Sequence, residues 1–345
     1  MTKNNEHKNL NVPDLRFPEF SGEWVETELQ DIVPNICSGK DRISNSGEVA
    51  LYGSTGVIGR TNSASYKENI VLVARVGANA GQMQIGNAPC GVTDNTLVID
   101  AKEWNYYIYY FLQHYNLNRL VFGSGQPLIT GGMLKRIKVR YGCKAERNNI
   151  TRLLCLIDER IATQNKIIEK LESLIKGIAD KLFQTARETK LLLELAPNIT
   201  SGTDKNGSGT IPLYGSTGII GKVKNASQKG NIVLVARVGT IGTVQYVKEP
   251  CGVSDNALIV EAGEMTKYIY HFLKTYKFAH ITSGTTQPLI TASSLKKIAV
   301  PTYDIERQTQ IVLCLNILER KLDIEKQYLS DIAMMKQYLL HQMFI

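Results

Sequence analysis

The residues from Glu146 to Gln184 place the strongest constraint on how this chain can fold. Apolar residues recur there in alternating steps of four and three, which is the spacing of a coiled-coil seam. The seam consists of Ile150, Leu154, Ile157, Ile161, Ile168, Leu171, Ile175, Ile178 and Leu182, and Gln164 interrupts it. A helix of about 39 residues is roughly 58 Å long at ~1.5 Å per residue. Because such a long apolar stripe is unfavourable in water, the helix needs a partner.

A second stretch with nearly the same spacing begins at Glu306. Its seam consists of Ile311, Leu315, Leu318, Leu322, Leu329, Ile332, Leu339 and Met343, and Glu325 interrupts it. The two stretches are predicted to pair as an antiparallel coiled coil. This pairing brings Gln164 close to Glu325, where a polar pair in the seam would fix the register. The alternative is that each of these residues faces solvent at a gap in the seam.

The sequence before each long helix is repeated. LYGSTG at 51–56 recurs at 213–218, NIVLVARVG at 69–77 recurs at 231–239, PCGV at 89–92 recurs at 250–253, and QPLIT at 126–130 recurs at 287–291. Solenoid repeats are roughly 20–50 residues long, whereas the period here is about 160 residues. The repetition therefore indicates a duplicated domain.

Each copy is predicted to mix strands and helices. Apolar β-branched runs predict strands at 70–75 and 96–100, and at 232–237 and 257–261 in the second copy. Aromatic and aliphatic residues at helical spacing predict helices at 104–120 and 265–278, with a short helix near Leu134 and another near Leu295. Each copy is therefore expected to be an α+β domain of roughly 100 residues.

The predicted order is a lead-in segment (1–34), a first globular domain (35–145), a first long helix (146–184), a second globular domain (185–303) and a second long helix (304–345). A compact domain keeps its two ends close together. The end of the first helix is thus expected beside the start of the second, which makes the helices antiparallel. By the same reasoning Ile345 ends near the start of the first domain. The predicted fold class is α+β, with two similar domains of mixed strands and helices joined by the helix pair and related by pseudo-two-fold symmetry.

This predicted architecture suits a bipartite site on duplex DNA, because two similar modules facing opposite ways match the local two-fold symmetry of the backbone. The helices limit the span to about 17 base pairs at ~3.4 Å per pair. The net charge of +8 is compatible with a polyanionic partner. The alternative from another class is a two-domain scaffold that binds protein. An affinity without steep salt dependence would argue against DNA as the partner and favour this alternative.

Several motifs keep a fixed order along nearly the whole chain. They are VPDLRFPEF and GEW in the lead-in, YGSTG-x-IG, RVG and QPLI-x4-L-x2-I in each copy, and heptad helices that open near Glu-Arg. Together they resemble the specificity subunit of type I restriction-modification systems. One departure is at the helix start, where the family commonly has Glu-Gln. The second helix has Glu306 and Gln308 with Arg307 between them, and the first has Glu146, Arg147 and Asn148.

The resemblance implies a non-catalytic subunit whose two target recognition domains each read one half of a bipartite sequence. It implies that the helix pair sets the gap and docks two methyltransferase subunits, and that restriction subunits join through the complex. S-adenosylmethionine would then bind the methyltransferase, and ATP with Mg would bind the restriction subunit, with no cofactor on this chain. A methylation-only or otherwise different modification system is the nearest alternative, and neighbouring reading frames distinguish the two. The cytoplasm is the expected location, since the N-terminus lacks a secretory signal and no apolar run is long enough to span a membrane.

Three groups of residues are candidates for DNA contact in both copies. The glycine-containing turns offer hydroxyl groups and a following cation, although they equally suit a tight turn with no ligand. Arginines close the buried strands, where a structural salt bridge is the alternative. Polar loops precede the short helices. The candidates are Ser54, Thr55, Arg60, Arg75, Ser124 and Gln126 in the first copy, and Ser216, Thr217, Lys222, Arg237, Thr285, Thr286 and Gln287 in the second.

Positions that differ between the copies are more informative about which bases are read. Asn79 and Gln82 correspond to Thr240 and Thr243. Asn118 and Arg119 correspond to Ala279 and His280. Asn, Gln and Arg can make bidentate contacts to adenine or guanine, which Thr and Ala cannot reproduce. The two half-sites are therefore predicted to be related but not identical.

Motifs for enzymatic chemistry are missing from the sequence. It has no Asn/Asp-Pro-Pro-aromatic loop of a DNA amine methyltransferase and no phosphate-binding Gly-x-x-x-x-Gly-Lys-Ser/Thr. Six scattered cysteines form no C-x-x-C pair, so they predict reduced thiols and no zinc site. Cys155 and Cys314, on or beside the seams, are predicted to be small buried apolar residues.

Overall fold

The structure is a computed structural model that describes residues 11–122, 127–283 and 288–345. The chain forms two compact units, Met1–Gln164 with Tyr328–Ile345, and Asn165–Gln327. Each unit contains one copy of the repeated domain and a part of both long helices. Segments far apart in the sequence therefore complete each unit.

The strands of the first unit are β1 (Val25–Glu28), β2 (Ile36–Ser38), β3 (Val49–Gly53), β4 (Gly56–Thr61), β5 (Ile70–Ala74), β6 (Met83–Gly86), β7 (Cys90–Val92), β8 (Thr96–Ile99) and β9 (Lys138–Tyr141). Its helices are α1 (Leu29–Ile32), α2 (Asn105–Tyr115), α3 (Gly131–Lys135) and the first part of α4 (Lys144–Gln184). The strands form three small sheets with the orders β2-β8-β5-β6, β4-β3-β7 and β1-β9. Neighbouring strands are antiparallel except β3 and β7, which are parallel.

The second unit repeats this arrangement. Its strands are β10 (Glu188–Leu191), β11 (Asn198–Ser201), β12 (Ile211–Gly215), β13 (Gly218–Val223), β14 (Ile232–Ala236), β15 (Val244–Val247), β16 (Gly252–Val253), β17 (Ala257–Glu261) and β18 (Ala299–Thr302). Its helices are α5 (Leu192–Leu195), α6 (Thr266–Thr275), α7 (Ala292–Lys296) and the first part of α8 (Ile305–Gln342). The sheet orders are β11-β17-β14-β15, β13-β12-β16 and β10-β18. The duplicated domain predicted from the sequence is confirmed element by element.

The central strands β5 and β14 are buried along their whole length. Val71 and Val73 of β5 pack in one core with α2, and Ile70 and Leu72 pack in a second core with residues of β3 and β7. The strand β14 is covered on both faces in the same way. Because both faces exclude water, a continuous apolar run is favoured. The predicted strands agree with the observed ones to within one residue. The predicted helix at 104–120 is shorter, because Asn116 adopts a left-handed conformation (φ 61°) that ends α2 and a single turn of 3-10 helix follows.

The lead-in segment packs onto the first domain. Trp24 is buried in the first core, and Val25–Glu28 pairs with β9 in the register Val25 to Tyr141. The strand β1 thus lies in a sheet of the first domain, although the predicted boundary placed it in the lead-in. Its counterpart β10 lies in the second domain, so the repeated unit begins before the segment at which the sequence repeat first becomes visible.

The apolar seams of α4 and α8 face inward. Every seam residue named from the sequence is buried or half-buried. The fully buried group comprises Ile150, Leu154, Ile157, Gln164 and Ile168 on α4, Ile311, Leu315 and Ile332 on α8, and Met343 directly after it. The half-buried group comprises Ile161, Leu171, Ile175, Ile178 and Leu182 on α4 and Leu318, Leu322, Glu325, Leu329 and Leu339 on α8. Burial of this stripe is what stabilises two helices far longer than an ordinary globular helix.

The two helices run antiparallel within each unit. In the first unit, Asp158 forms an ion pair with Lys336 at 2.7 Å, and the guanidinium of Arg160 lies 5.3 Å from the ring centre of Tyr328. In the second unit, Glu172 pairs with Lys326 at 2.6 Å, and the hydroxyl of Tyr303 donates to the carbonyl of Leu182. The end of α8 lies against the lead-in segment, since the amide of Leu15 donates to the carbonyl of Gln342 at 2.9 Å.

The polar interruptions of the seams are not equivalent. Gln164 is buried, so the alternative that it faces solvent is wrong. Glu325 is half-buried and pairs with Lys321 one turn earlier at 2.5 Å. The pairing of Gln164 with Glu325 stays a prediction.

The start of α4 makes contacts that differ from those at the start of α8. Glu146 is buried and accepts two hydrogen bonds from the guanidinium of Arg16 in the lead-in, at 2.6 and 2.8 Å. Arg147 stacks on Trp104, 3.3 Å from the ring centre. At the start of α8, Gln308 instead donates to the carbonyl of Tyr303 at 2.7 Å. A buried charge must be paired, so the lead-in and the first helix depend on each other.

Corresponding residues of α2 and α6 attach each domain to a long helix by different chemistry. In the first unit the hydroxyl of Tyr110 donates to Asp158 at 2.9 Å. In the second unit His271 takes the place of Tyr110, with its Nε2 3.0 Å from Asn316 Oδ1 and its Nδ1 3.8 Å from Glu319. Burial lowers the pKa of His271 below its ordinary value, although Glu319 opposes this shift.

We expect this histidine to make the second unit sensitive to mild acid. Above about pH 6.5 the imidazole is neutral in both the folded and the unfolded chain, so its full contribution to stability is present. Below that value the unfolded chain takes up a proton that buried His271 resists, so the free energy of unfolding falls as the pH falls through its lowered pKa. Urea unfolding of the full chain between about pH 5 and pH 8 measures this loss.

The variant His271→Gln should unfold with a smaller dependence on pH. The matched control is His280→Gln, which removes an exposed histidine of the same unit and should keep the dependence of the parent chain. Equal pH dependence in both variants would show that His271 is not the responsible group.

Other findings concern features expected from composition. In the described part of the chain, no helix is long and apolar enough to cross a membrane.

All six cysteines are free thiols, as predicted. Cys155 is half-buried, but Cys314 is exposed, so its predicted burial is wrong. Cys314 precedes the seam residue Leu315 by one position, and one step along a helix turns a side chain by about 100°.

Candidate nucleic-acid interface

Three turns of the first domain meet at one end of its sheets. They are residues 53–56 between β3 and β4, 75–82 between β5 and β6, and 93–95 between β7 and β8. Ser54 Oγ donates to the carbonyl of Asn95 at 3.2 Å, and the amide of Arg75 donates to the same carbonyl at 3.0 Å. Gln84 fixes the first turn by donating to the carbonyl of Gly53 at 2.6 Å. We call these three turns the first recognition edge.

The second domain has the same edge at residues 215–218, 237–243 and 254–256, which we call the second recognition edge. Gln245 donates to the carbonyl of Gly215 at 2.9 Å, as Gln84 does in the first domain. The amide of Arg237 donates to the carbonyl of Asn256 at 3.0 Å. The turns are thus held in both copies by two corresponding hydrogen bonds, one from Gln84 or Gln245 and one from the amide of Arg75 or Arg237.

The predicted residues of the glycine-containing turns differ in exposure. Ser54 and Ser216 are half-buried, whereas Thr55, Thr217, Arg60 and Lys222 are exposed. Gly56 has a φ of 129° and Gly218 a φ of 127°, which side-chain-bearing residues rarely adopt, so the tight-turn explanation accounts for these glycines. The exposed Thr55 and Thr217 are not needed for the turn and stay candidates for DNA contact.

Arg75 and Arg237 lie half-buried at the ends of β5 and β14. Arg237 Nη1 donates to Ser201 Oγ at 2.9 Å. Among the residues that the structure describes, neither arginine forms an ion pair, so the salt-bridge alternative gains no support. Arg237 Nε is buried without a hydrogen-bond partner within the same residues.

Two pairs of positions that differ between the copies, Asn79 with Thr240 and Gln82 with Thr243, lie in the second turn of each edge. Thr240 Oγ1 donates to the carbonyl of Ser216 at 3.3 Å, and Thr243 Oγ1 donates to the carbonyl of Thr240 at 2.8 Å. Both threonines therefore hold the backbone of the second edge. In residues 11–122, 127–283 and 288–345, no hydrogen bond involves the side chain of half-buried Asn79 or exposed Gln82.

Asn118 and Arg119 are separated despite being adjacent in sequence. A Cβ at Gly81 would lie 3.1 Å from Asn118 Oδ1, so Asn118 is next to the first recognition edge. The guanidinium of Arg119 instead lies 5.4 Å from the ring centre of Tyr115 and lines a cleft with Tyr338 and His341 of α8. His280 is exposed in a turn of 3-10 helix that follows α6.

Five candidates, Ser124, Gln126, Thr285, Thr286 and Gln287, lie outside the described residues. The residues that flank them are attached to the edges. The amide of Gly77 donates to the carbonyl of Pro127 at 3.0 Å, and the amide of Ile129 donates to the carbonyl of Arg75 at 2.9 Å. In the second domain the amide of Ile290 donates to the carbonyl of Arg237 at 3.0 Å.

Sequence comparison of the two copies missed a further group of cations. Lys40 and Arg42 are exposed in the loop between β2 and β3, and Lys205 is exposed in the corresponding loop of the second domain. An aspartate anchors each loop. Asp41 accepts hydrogen bonds from the amide of Val92 at 2.8 Å and from Ser65 at 2.6 Å, and Asp204 accepts one from the amide of Val253 at 2.7 Å. The signal that could have found these cations is the sequence Ser-Gly-x-Asp followed by Arg or Lys, which occurs at 38–42 and again at 201–205.

Acidic side chains near the edges give no sign of a metal centre. Asp94 and Asp255 are exposed in the third turn of each edge. Within the described ranges, no group of three or more His, Cys, Asp or Glu side chains is placed to hold a metal ion.

Comparison with known families gives a match over most of the chain. Residues 21–173 and 192–334 match the family described as the type I restriction modification DNA specificity domain. A putative type I specificity subunit of Mycoplasma genitalium is 24% identical over 369 residues, which cover 96% of this chain and 92% of that protein. The specificity subunit of the type I restriction enzyme MjaVIII of Methanocaldococcus jannaschii is 30% identical over 188 residues, covering 49% and 43%.

Solved structures give the same result for the fold. The crystal structure of the S subunit of a type I restriction-modification system from M. genitalium has a TM-score of 0.69 at 19% identity and covers 97% of this chain and 99% of that chain. A chain from a structural study of assembly and conformational transition of a type I system has a TM-score of 0.55 at 13% identity, covering 95% and 98%.

Proposed function

This chain belongs to the type I restriction-modification DNA specificity family, and from that premise we propose how it recognises its target. It is a non-catalytic specificity subunit with two target recognition domains. Each recognition edge contacts one half of a bipartite sequence in duplex DNA, and α4 and α8 set the number of base pairs between the halves. One observation is central to this proposal: the same three turns meet in both domains while the side chains they present differ.

Phosphate contacts and base contacts belong to different residues of the edges. Exposed Arg60 and Lys222 follow the glycine-containing turns and suit the DNA backbone, which positions a protein without reading sequence. Asn79 and Gln82 suit base edges, since their amides can bond to adenine in the major groove. Thr240 and Thr243 already bond to the backbone of their own turn, so the second domain reads its half with other groups.

Partner subunits would cover the outer faces of the long helices. On the part of α4 and α8 in the first unit, Leu156, Met334, Met335 and Tyr338 are exposed large apolar residues, and in the second unit Leu174, Leu313, Ile317 and Ile324 are exposed. Clustered exposed apolar residues are typical of interaction surfaces. Because each unit has its own set, two methyltransferase subunits, one for each unit, fit the chain best. S-adenosylmethionine would bind the methyltransferase, and ATP with Mg would bind the restriction subunit.

We expect strand-specific methylome sequencing of a host carrying this chain with its methyltransferase to reveal two different half-sites. The double variant Asn79→Thr with Gln82→Thr, which copies the second domain, should relax or change bases in one half only. A lost bidentate contact reduces discrimination by about 1–3 kcal/mol, which is enough to add new methylated sequences.

The matched control is Thr240→Ser with Thr243→Ser, which keeps both hydroxyl groups and should leave the methylated sequence unchanged. A strictly palindromic target, or a change in both halves from the first variant, would contradict the assignment of Asn79 and Gln82.

A further inference from the structure

An exposed aliphatic pair stands at the tip of a hairpin in each domain. The tip of the β3–β4 hairpin has Val57 (58% exposed) and Ile58 (47%), and the tip of the β12–β13 hairpin has Ile219 (63%) and Ile220 (48%). Both pairs directly follow the turn that opens each recognition edge. A β-branched pair with about half of its surface in water leaves much of its apolar area unburied in its own domain. Its recurrence at the same place in both copies points to a surface that becomes buried on binding.

The hairpin holds this pair rigidly. A Cβ at Gly53 would lie 2.9 Å from Ile58, so Ile58 packs directly across the turn on the glycine, and Gly215 and Ile220 have the same relation at 2.9 Å. The side-chain amides of Gln84 and Gln245 also fix the turns, because they donate hydrogen bonds to the carbonyls of Gly53 and Gly215. In each hairpin the ladder also shifts register by one residue two positions before the turn, which re-aims the tip.

Positive charge flanks the apolar tips. In the first domain, Lys40, Arg42 and Ile58 line one surface cleft, and Arg60 lies on the same hairpin, with its Nη1 bonded to the carbonyl of Glu48 at 2.5 Å. The cleft also includes Asp94 and Asp41, and Asp41 is occupied by its loop-anchoring hydrogen bonds. In the second domain, exposed Lys205, Lys222 and Lys224 lie on the corresponding loop and hairpin. An apolar tip between cations complements a groove between two phosphate backbones.

We propose that each hairpin tip enters the major groove and contacts the 5-methyl groups of thymines, so that the aliphatic pair is part of sequence reading; this rests on the proposed function. The major groove admits a two-stranded β-ribbon, and the thymine methyl is the apolar group that its base pairs present there. The two domains differ at one neighbouring position. Exposed Ile43 lies against Gly59 in the first domain, and Asn206 accepts a hydrogen bond from the amide of Lys222 at 3.0 Å in the second. The first half-site therefore depends more on thymine methyls than the second.

The test uses the full chain in complex with its methyltransferase subunits and duplexes containing its target. Each thymine is replaced in turn by deoxyuridine, which removes the methyl group and keeps base pairing. We expect at least one replacement in each half to weaken binding by about three- to tenfold, the range for loss of one or two buried methyl contacts. The variant Val57→Ala with Ile58→Ala should weaken binding similarly and lose its sensitivity to deoxyuridine in one half only. Ile219→Ala with Ile220→Ala should do the same for the other half.

The matched control is Val25→Ala, because Val25 is a strand valine of the first domain with 56% exposure and lies outside the recognition edge. It should leave every affinity unchanged. Half-sites without thymine in either strand would overturn the proposal, as would hairpin variants that respond to deoxyuridine like the parent complex. Unstacking of a 2-aminopurine probe by the parent complex but not by the hairpin variants would also overturn it, because it indicates a wedge between base pairs. If the parent complex showed no salt-dependent affinity for its target, the proposed function itself would fail.

Discussion

Lengthening α4 and α8 by one heptad each is expected to widen the gap between the two half-sites by about three base pairs. Seven residues add roughly 10 Å to a helix at ~1.5 Å per residue, and DNA rises ~3.4 Å per base pair. The insertions belong after Gln164 and after Gln327, where the chain passes between its two compact units. Contacts inside each unit are then preserved, and a whole heptad keeps the seam facing its partner. Methylome sequencing measures both the gap and the half-sites.

The matched control for this experiment lengthens only one helix. A heptad in α4 alone displaces every following seam residue relative to α8, so we expect loss of folding or of methylation rather than a wider gap. If the paired insertion altered half-site bases and left the gap unchanged, the helices would not act as a ruler. The two-fold relation between the domains, like the ruler, stays a prediction of the sequence.

The substitution Leu154→Ala is expected to lower the free energy of unfolding of the first unit by about 2–5 kcal/mol, the range for a Leu-to-Ala change in a well-packed core. Leu154 is 0% exposed and packs in the first core with residues of α2 and of the C-terminal part of α8. Its removal leaves a cavity where the recognition domain meets the helix pair. Urea unfolding followed by circular dichroism measures the loss.

Leu156→Ala is the matched control, since Leu156 lies two residues further along the same helix with 54% exposure. The isolated chain should keep its stability to within about 0.5 kcal/mol, as exposed positions usually do. When assembly with the methyltransferase is measured instead of stability, we expect Leu156→Ala to have the larger effect of the two variants, because the proposed partner surface includes Leu156. Equal loss of stability in the two variants would contradict the assignment of Leu154 to the seam.

Regular elements of the fold could be predicted because their signals are local or repeated. The buried runs at β5 and β14 are long enough to show both faces covered, and the heptads of α4 and α8 continue over many turns. The strand β1 was assigned to the lead-in because its partner β9 is more than 100 residues away, and pairing at that distance leaves no mark in a single sequence. Cys314 was misplaced because one position decides whether a helical residue faces the seam.

Candidate site residues were predicted as turns but not as a surface. Ser54 follows β3, whereas Arg75 and Asn79 follow β5, and only the hydrogen bonds to Asn95 and Gly53 bring those turns to one edge. Arg119 and Asn118 are neighbours in sequence, yet the left-handed residue Asn116 and the helical turn after it leave them on different surfaces. The cations of the loops before β3 and β12 lie beside an aspartate that recurs in both copies, but only the structure shows that each aspartate anchors its loop next to the recognition edge.

The sequence alone determined that two copies of one domain alternate with two long helices, since periodicity and repetition are properties of the chain itself. The tertiary structure decided which side chains are left exposed. Val57 and Leu72 are both β-strand aliphatic residues by sequence, but the second is covered by neighbouring strands and the first stands at a tip. Exposure depends on what packs against a residue, and those neighbours come from distant parts of the chain. The surface that we propose for DNA contact is therefore a product of packing, whereas the helix pair is already visible in the heptads.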